Sequence, residues 1–458
     1  IARSLRPQKR RARYHAGHEH ALPANPRKMD YRRLPSHRDW MIFINPSLLN
    51  DRGSLLYDEF RRRFRIPVEM FHAILARARA ASGPGMWPDE LKPRPGPPPV
   101  PLGMKILGVF RMWALGVPYD GLGECGLSKT VLVDFHNKFV PWFLETHYAE
   151  EVRPPRDLDE IKSAVAVFAR CGFPGALLSQ DAVHLAWDRC PYQARHRNTG
   201  KEGYPTVAFN VCTSHTKMIF SVTKAFPGSY NDKTIVRYDD MIRALRTDAM
   251  YRDFEYVLHD GDGAEHVHRG LYAINDGGYH RWKTTISGFP HSVDPFEQRF
   301  TERLESVRKD VECVFGIMKK RWRVLRLPFL STDAKQIEEV FKCCAALHNM
   351  LLKFDGRDNI GELDDDWLRA DIEADDARIG QGATIRCGAE ERLMTSDTDF
   401  SSVGGAFLSS EPDGNRTETD DDFVARRKAL VANFKHMHSS DEGIQWLQTA
   451  AVARPRRT

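Results

Sequence analysis

Four acidic residues of this chain stand where different secondary-structure elements can gather them. Asp181 lies inside an apolar stretch, Leu178-Ser179-Gln180-Asp181-Ala182-Val183-His184. Asp232 closes Pro227-Gly228-Ser229-Tyr230-Asn231-Asp232. Asp276 follows a short apolar run in Ile274-Asn275-Asp276-Gly277-Gly278-Tyr279. Glu312 sits beside Val311 in a long helical stretch. Carboxylates from separate elements repel when they converge, and a divalent cation relieves that repulsion. Mg2+ prefers oxygen ligands and keeps waters, which leaves room for phosphate oxygens. Two such ions roughly 3.5–4 Å apart activate water and stabilise the leaving oxygen of a phosphodiester. The chemistry such a cluster suits is metal-dependent phosphodiester cleavage or transfer.

The same residues have plainer uses. Asp232 could cap a helix beginning at Lys233. Asp276 before Gly-Gly could be a turn aspartate. Glu312 could pair with Arg308 one helical turn back. Asp181 is hardest to explain this way, because an acid inside an apolar strand is costly. His184 reads as a packed core histidine rather than a ligand.

The elements that must position these acids follow from hydrophobic spacing. Ala176–Trp187 reads as a strand. Pro205–Cys212 and Met218–Phe226 read as a hairpin joined by the polar turn Thr213–Lys217. Asp232–Leu245 reads as a helix, Tyr272–Asn275 as a short strand, and Arg299–Leu325 and Gln336–Phe354 as helices. Glu312 lies beside Val311 of the apolar stripe of the first of these two helices, so it can sit at the edge of the stripe and look toward the sheet. Asp260–Gly270 opens Asp-Gly-Asp-Gly but lacks the register of a calcium loop, so it reads as a loop. The expected fold is α/β, a mixed sheet layered with helices.

Upstream, Phe60–Ala81 and Met104–Leu115 read as helices, separated by a Pro/Gly loop over residues 83–101. Gly126 is placed to close one helix and Ser128 to cap the next, with Lys129 following. Helix, glycine turn and capped helix together suggest a helix-turn-helix. The plain alternative is an ordinary helical hairpin.

The 458 residues carry a net charge of +5, unevenly distributed. Residues 355–422 hold 20 Asp/Glu against 6 Arg, a net of −14, so the rest carries +19. A basic body with an acidic tail points to a polyanion partner. The cysteines form no CxxC pair, which disfavours a zinc ribbon or a disulfide framework. No run of 18 apolar residues occurs, so no membrane partner is expected. Gly-x-Ser-x-Gly elbow, P-loop and dinucleotide fingerprint are all absent, which argues against an unrelated α/β hydrolase. The expected organisation is a basic disordered arm (1–40), a helical DNA-binding region (41–165), an α/β domain (170–354), an acidic disordered tail (355–422) and a short helical segment (423–458). Gln8-Lys9-Arg10-Arg11-Ala12-Arg13 is a candidate nuclear-localisation run.

Six stretches in order resemble the PIF/Harbinger family of DDE transposases, the plant transposon protein group and its nuclease-like domesticated members. They are Asp181 with His184; Gly200-Lys201-Glu202-Gly203-Tyr204-Pro205-Thr206; Pro227 to Asp232; Asn275-Asp276-Gly277-Gly278-Tyr279; Arg308-Lys309-Asp310-Val311-Glu312-Cys313-Val314-Phe315-Gly316; and Leu347-His348-Asn349-Met350. The resemblance implies an RNase H-like fold and a catalytic set of Asp181, Asp276 and Glu312, with Asp232 as an additional metal ligand. It implies Mg2+ or Mn2+ as cofactor, DNA as partner, a nuclear location, and in some members a separate Myb-like DNA-binding protein. Homo-oligomerisation is a further expectation. Arg308, Lys309, Lys319, Lys320, Arg321 and Arg323 are expected to grip the DNA backbone from the Glu312 helix, with Ser128 and Lys129 contributing upstream. Ser179-Gln180 before Asp181 departs from the small or apolar residues expected there. The competing reading is a domesticated relative that binds DNA or protein without cutting.

Overall fold

Local backbone rules divide the N-terminal helices more finely than their composition suggests. The computed structural model describes residues 42–45, 54–81, 87, 100–122, 127–358 and 420–439. The expected helix Phe60–Ala81 is two helices, α1 (Leu55–Phe64) and α2 (Val68–Ala80). Arg65 between them takes a left-handed φ of 61°, and Pro67 cannot donate a helical hydrogen bond and restricts Ile66 before it. The Ser54 hydroxyl accepts the Tyr57 N–H at 3.3 Å and starts α1. Phe43, Phe60, Phe64 and Phe71 pack edge-on or tilted into a small aromatic core.

Two further helices follow, α3 (Leu102–Leu115) and α4 (Lys129–Phe143). Ser128 caps α4 as expected, accepting the Val131 N–H at 3.3 Å. The connection runs from Gly116 to Ser128, far longer than the roughly three or four residues of a helix-turn-helix turn. The tight version of that motif is therefore not what these helices make. Gly126 lies outside the described residues, as do the basic arm, most of the Pro/Gly loop, most of the acidic stretch, and residues 440–458.

The chain divides into two units, Ile1–Met112 with Val117–Lys138, and Trp113–Gly116 with Phe139–Thr458. The second unit holds the sheet. Before the first strand comes α5 (Leu158–Arg170), capped by Asp157. Then come β1 (Ala176–Ala186), α6 (Tyr192–Asn198), β2 (Thr206–Thr213), β3 (Ile219–Val222) and β4 (Phe226–Pro227). The expected helix Asp232–Leu245 is split into α7 (Asp232–Val236) and α8 (Asp240–Thr247), because Asp239 leaves the helix to cap the second. After α9 (Ala249–Arg252), β5 (Glu255–His259) pairs antiparallel with β6 (Glu265–Arg269). The stretch read as a loop over Asp260–Gly270 is thus a turn, which holds its Asp-Gly-Asp-Gly, followed by the strand Glu265–Arg269.

β7 (Tyr272–Ile274) and β8 (Thr285–Ile286) complete the main sheet, with strand order β3-β2-β1-β7-β8 and β4 beside β2. The β1–β2 and β2–β3 pairs are antiparallel, whereas β1–β7 and β7–β8 are parallel. The mixed α/β architecture expected from the sequence is present. Strand alternation fills both faces. Tyr272 and Ile274 enter one core cluster, Leu271 and Ala273 the other. The first cluster is covered by α10 (Pro295–Arg321), the second by α5 and α8. The long helix ends at Arg321 rather than Leu325. Trp322 turns out of it fully buried, and a short 3-10 turn (Arg323–Leu325) follows.

α12 (Asp420–Ser439) is no loose appendage. Its Phe423, Leu430 and Phe434 join the first core cluster, and Phe434 meets Phe300 edge-on at 5.8 Å. Asn433 Oδ1 accepts the His259 N–H at 2.9 Å, tying this helix to the β5–β6 hairpin.

α11 (Ala334–Phe354) covers β2 and β3 and explains one motif without chemistry. Asn349 is fully buried. Its Oδ1 accepts the Ile219 N–H at 2.9 Å, and its Nδ2 donates to the carbonyls of Ile219 and Glu151, both at 2.8 Å. One side chain thereby serves β3 as a neighbouring strand would. The adjacent His348 meets the Lys217 carbonyl through Nε2 at 2.9 Å, and burial pushes its pKa down to about 3, keeping it neutral. Asn349→Ala strands three buried backbone groups at ~1–3 kcal/mol each. It should lower stability by more than ~2 kcal/mol and the melting temperature by roughly 4–8 °C, read by circular dichroism.

Candidate active site

The register of two parallel strands brings the first two acids together. Ser179 of β1 sits opposite Ile274 of β7. Two residues further on are Asp181 and Asp276, so both lie at the carboxyl end of the parallel pair on the same side. This is where open α/β sheets place their ligand sites. Asp276 Oδ1 also accepts the Gly278 N–H at 2.9 Å, so its turn role holds alongside its position. Asp232 does not cap its helix. Asn231 does, accepting the Thr234 N–H at 2.9 Å, which leaves the Asp232 carboxylate for the cleft. Both aspartates approach Gly278. A Cβ there would stand 3.1 Å from Asp276 Oδ1 and 3.7 Å from Asp232 Oδ2.

The electrostatics reflect this crowding. Burial raises the Asp181 pKa to about 7, and Asp276 and Asp232 add to the rise, against the opposing Arg308 guanidinium and Ala182 N–H. Asp232 is raised by burial and by Asp276, with Lys201 opposing. The buried phenol of Tyr279 is pushed far up, by burial first and then by the field of the same three aspartates.

Glu312 joins the group indirectly. Its side chain is 47% exposed, and its Oε1 pairs with Arg308 Nη2 at 2.9 Å. The pairing of Glu312 with Arg308 therefore holds, and the same guanidinium links Glu312 to Asp181 of β1. Arg308 also pairs with Asp181 Oδ2 at 3.0 Å and Glu305 at 2.9 Å. Its own side chain is 13% exposed, and its guanidinium is engaged by these three carboxylates. Lys309, Lys320 and Arg323 are exposed, while Lys319 and Arg321 are half-buried. His184 meets the Thr206 hydroxyl at 3.0 Å, a packed polar contact in keeping with its plain reading. Ser128 and Lys129 belong to the first unit. Among the described residues, no three His, Cys, Asp or Glu side chains already enclose an ion position.

Two supporting networks escaped sequence reasoning. Buried Asp239 accepts from Asn210 Nδ2 at 2.9 Å and from the Ser221 hydroxyl at 3.0 Å, and it caps α8 through the N–H groups of Met241 and Ile242. Asn210 Oδ1 in turn accepts the Tyr279 hydroxyl at 3.0 Å. The turn carrying Asp276-Gly-Gly is thus anchored to β2, β3 and α8. Gln180, unexpected beside Asp181, meets this network through Asn210 at 3.3 Å.

The second network fixes the rotation of α10. Asp310 pairs with His215 Nδ1 and with Lys217 Nζ, the latter at 3.1 Å. His215 Nε2 meets Cys171 Sγ at 3.3 Å. His215 and Lys217 lie in a polar turn that reads only as a hairpin connection, so nothing local in the sequence announces them. Burial opposes charging His215, but Asp310 and the Cys171 sulfur outweigh it and hold its pKa at about 9. A histidine raised above its ordinary 6.5 contributes stability fully below that pH and loses it as pH rises through about 9. The melting temperature should fall between pH 6.5 and 9, and His215→Gln should remove that part of the fall. An unchanged slope in the variant would contradict this assignment.

Residues 150–359 match the family model described as plant transposon protein. The match spans all four acids and less than half of the chain. It supports a transposon-derived protein with a transposase-related function. A search of curated proteins and a search of solved structures each returned no match.

Proposed function

We propose that this chain is a DDE-type DNA endonuclease or transposase that cuts phosphodiester bonds with Mg2+ or Mn2+. The observation that carries the reading is the convergence of Asp181, Asp232 and Asp276 at the carboxyl end of the parallel strands. The antiparallel set β3-β2-β1 continuing into parallel β7 and β8 supports an RNase H-like sheet.

The residues fit a hard divalent cation by chemistry. All the donors are carboxylates, and burial together with mutual repulsion leaves Asp181 and Asp232 short of positive charge. Asp181, Asp232 and Asp276 would hold the ion, with Glu312 joining once Arg308 yields it. Such an ion supplies an activated water and charge stabilisation at the leaving oxygen. The remaining work belongs to the chain. Arg308 orients Asp181 and Glu312 against each other, and Lys201 biases Asp232 toward its charged form. Gly277 and Gly278 present no side chain, so a strand backbone can approach Asp276 closely. The Tyr279–Asn210–Asp239 bonds keep that turn from moving.

A second reading has its own support. Arg308 pairs with both Asp181 and Glu312 and stands where a cation is wanted, as in a catalytically silent, transposase-derived DNA-binding protein. Cleavage of end-labelled duplex DNA with Mg2+ or Mn2+ separates the two. Wild type should cut, while Asp181→Asn and Glu312→Gln should each lose at least ~100-fold, more than a supporting residue costs, with DNA binding kept. Wild type that binds and never cuts would favour the silent reading. Cutting that survives both substitutions would place the active site elsewhere.

A further inference from the structure

The sheet edge beside Asp232 carries residues that the carboxylate chemistry does not use. α6 exposes Arg195, His196 and Arg197, and the turn after it exposes Lys201. Two aromatic rings flank this basic run, Tyr192 at 87% exposure and Tyr204 at 51%. Between Tyr192 and Pro205 the only acid is Glu202. An open basin of about 710 Å³ lies here, lined by Arg195, His196, Arg197, Thr199 and Ser229.

This edge is locked to the segment that ends in Asp232. A Cβ on Gly200 would meet the Gly228 carbonyl oxygen at 2.2 Å, and one on Gly228 would meet Thr206 Oγ1 at 1.9 Å. The Ser229 hydroxyl donates to the Arg197 carbonyl at 2.6 Å, and Arg197 Nη2 donates to the Tyr230 hydroxyl at 2.8 Å. The backbones of the Gly-Lys-Glu-Gly-Tyr-Pro-Thr and Pro-Gly-Ser-Tyr-Asn-Asp motifs are therefore interlocked, which gives the glycines of both a packing reason. The Lys201 charge is felt at Asp232 and at His184, so the basic run reaches the carboxylate cleft.

Exposed aromatic rings interleaved with cations suit a nucleic-acid strand whose bases are free to stack. Phosphates take the cations, and base faces take the rings. A duplex hides its base faces, so the rings add nothing for it. We infer that this edge holds an unpaired DNA strand beside the carboxylates, with Tyr192 and Tyr204 stacking on its bases and Arg195 and Lys201 on its phosphates. The location rests on the nuclease reading, and the inference adds the form in which the strand is held, locally unpaired from the duplex that is cut.

The test is binding by the full chain in EDTA, so that cutting plays no part. The probes are a fluorescent oligo-dT strand, a duplex of the same length and an RNA strand of the same length. Tyr192→Ala with Tyr204→Ala should weaken oligo-dT binding by roughly tenfold or more, as expected for lost base stacking, and change duplex binding less than about twofold. Tyr192→Phe with Tyr204→Phe should keep wild-type affinity, because the rings remain. Arg195→Ala should reduce the salt dependence of oligo-dT binding by about one phosphate contact. All these side chains are exposed, and an unchanged thermal melt verifies folding. Oligo-dT binding that is unaffected by the double alanine variant overturns the inference. So does an equal loss for duplex, or tighter binding of RNA than of oligo-dT. Failure here with cleavage intact leaves the nuclease reading standing, and failure of cleavage with these binding changes present leaves the strand platform standing.

Discussion

Three aspartates from three separate elements share one half-buried space, where Asp276 and Asp232 raise the cost of charging Asp181 and Asp276 raises that of Asp232. Burial alone would push such carboxylates toward their neutral forms. The fold nevertheless assembles them with some precision. Strand register sets Asp181 beside Asp276, Asn231 relieves Asp232 of capping, and two glycines keep the intervening space clear. Arg308 meets part of the charge and stands between Asp181 and Glu312. The proposed divalent cation would offset that expense.

The supporting structure addresses the same constraint from two sides. On one side, the Tyr279–Asn210–Asp239 chain of hydrogen bonds ties the Asp276 turn to β2, β3 and α8. On the other, Asp310 holds α10 through Lys217 and His215, and so fixes the direction in which Arg308 and Glu312 project from the same helix. Asp310 and Glu312 are two residues apart, yet one is buried in an ionic clamp and the other half-exposed at the cleft. That difference sets the angular position of the helix. The packing of α12 against α10 and the β5–β6 hairpin adds apolar surface behind it.

Much of this was legible in the residues. The apolar run around Asp181, the glycine pair after Asp276 and the 3.6-residue periodicity around Glu312 located three of the four acids on the right elements. What escaped was decided by single local choices. Asp239 ended one helix and began another, because its side chain gains more by capping Met241 and Ile242 than its backbone gains by continuing the helix. The Asp260–Gly263 turn looked like an isolated loop because Val257 and Val267, the apolar residues of its strands, are solvent-exposed and give no clear alternation. α12 was expected as a helix, but its packing on the core was hidden by its distance along the chain from the sheet. Asn349 entered only as part of a matching stretch, and its three backbone bonds give it a structural role.

Calorimetric titration of the metal-free chain with Mn2+ near neutral pH asks whether the aspartate cluster holds the proposed divalent cation. The account predicts saturable binding by wild type that is abolished or strongly weakened in both Asp181→Asn and Asp276→Asn, with folding intact in each. No saturable binding by the folded wild type, or equal binding by wild type and the two variants, would contradict it.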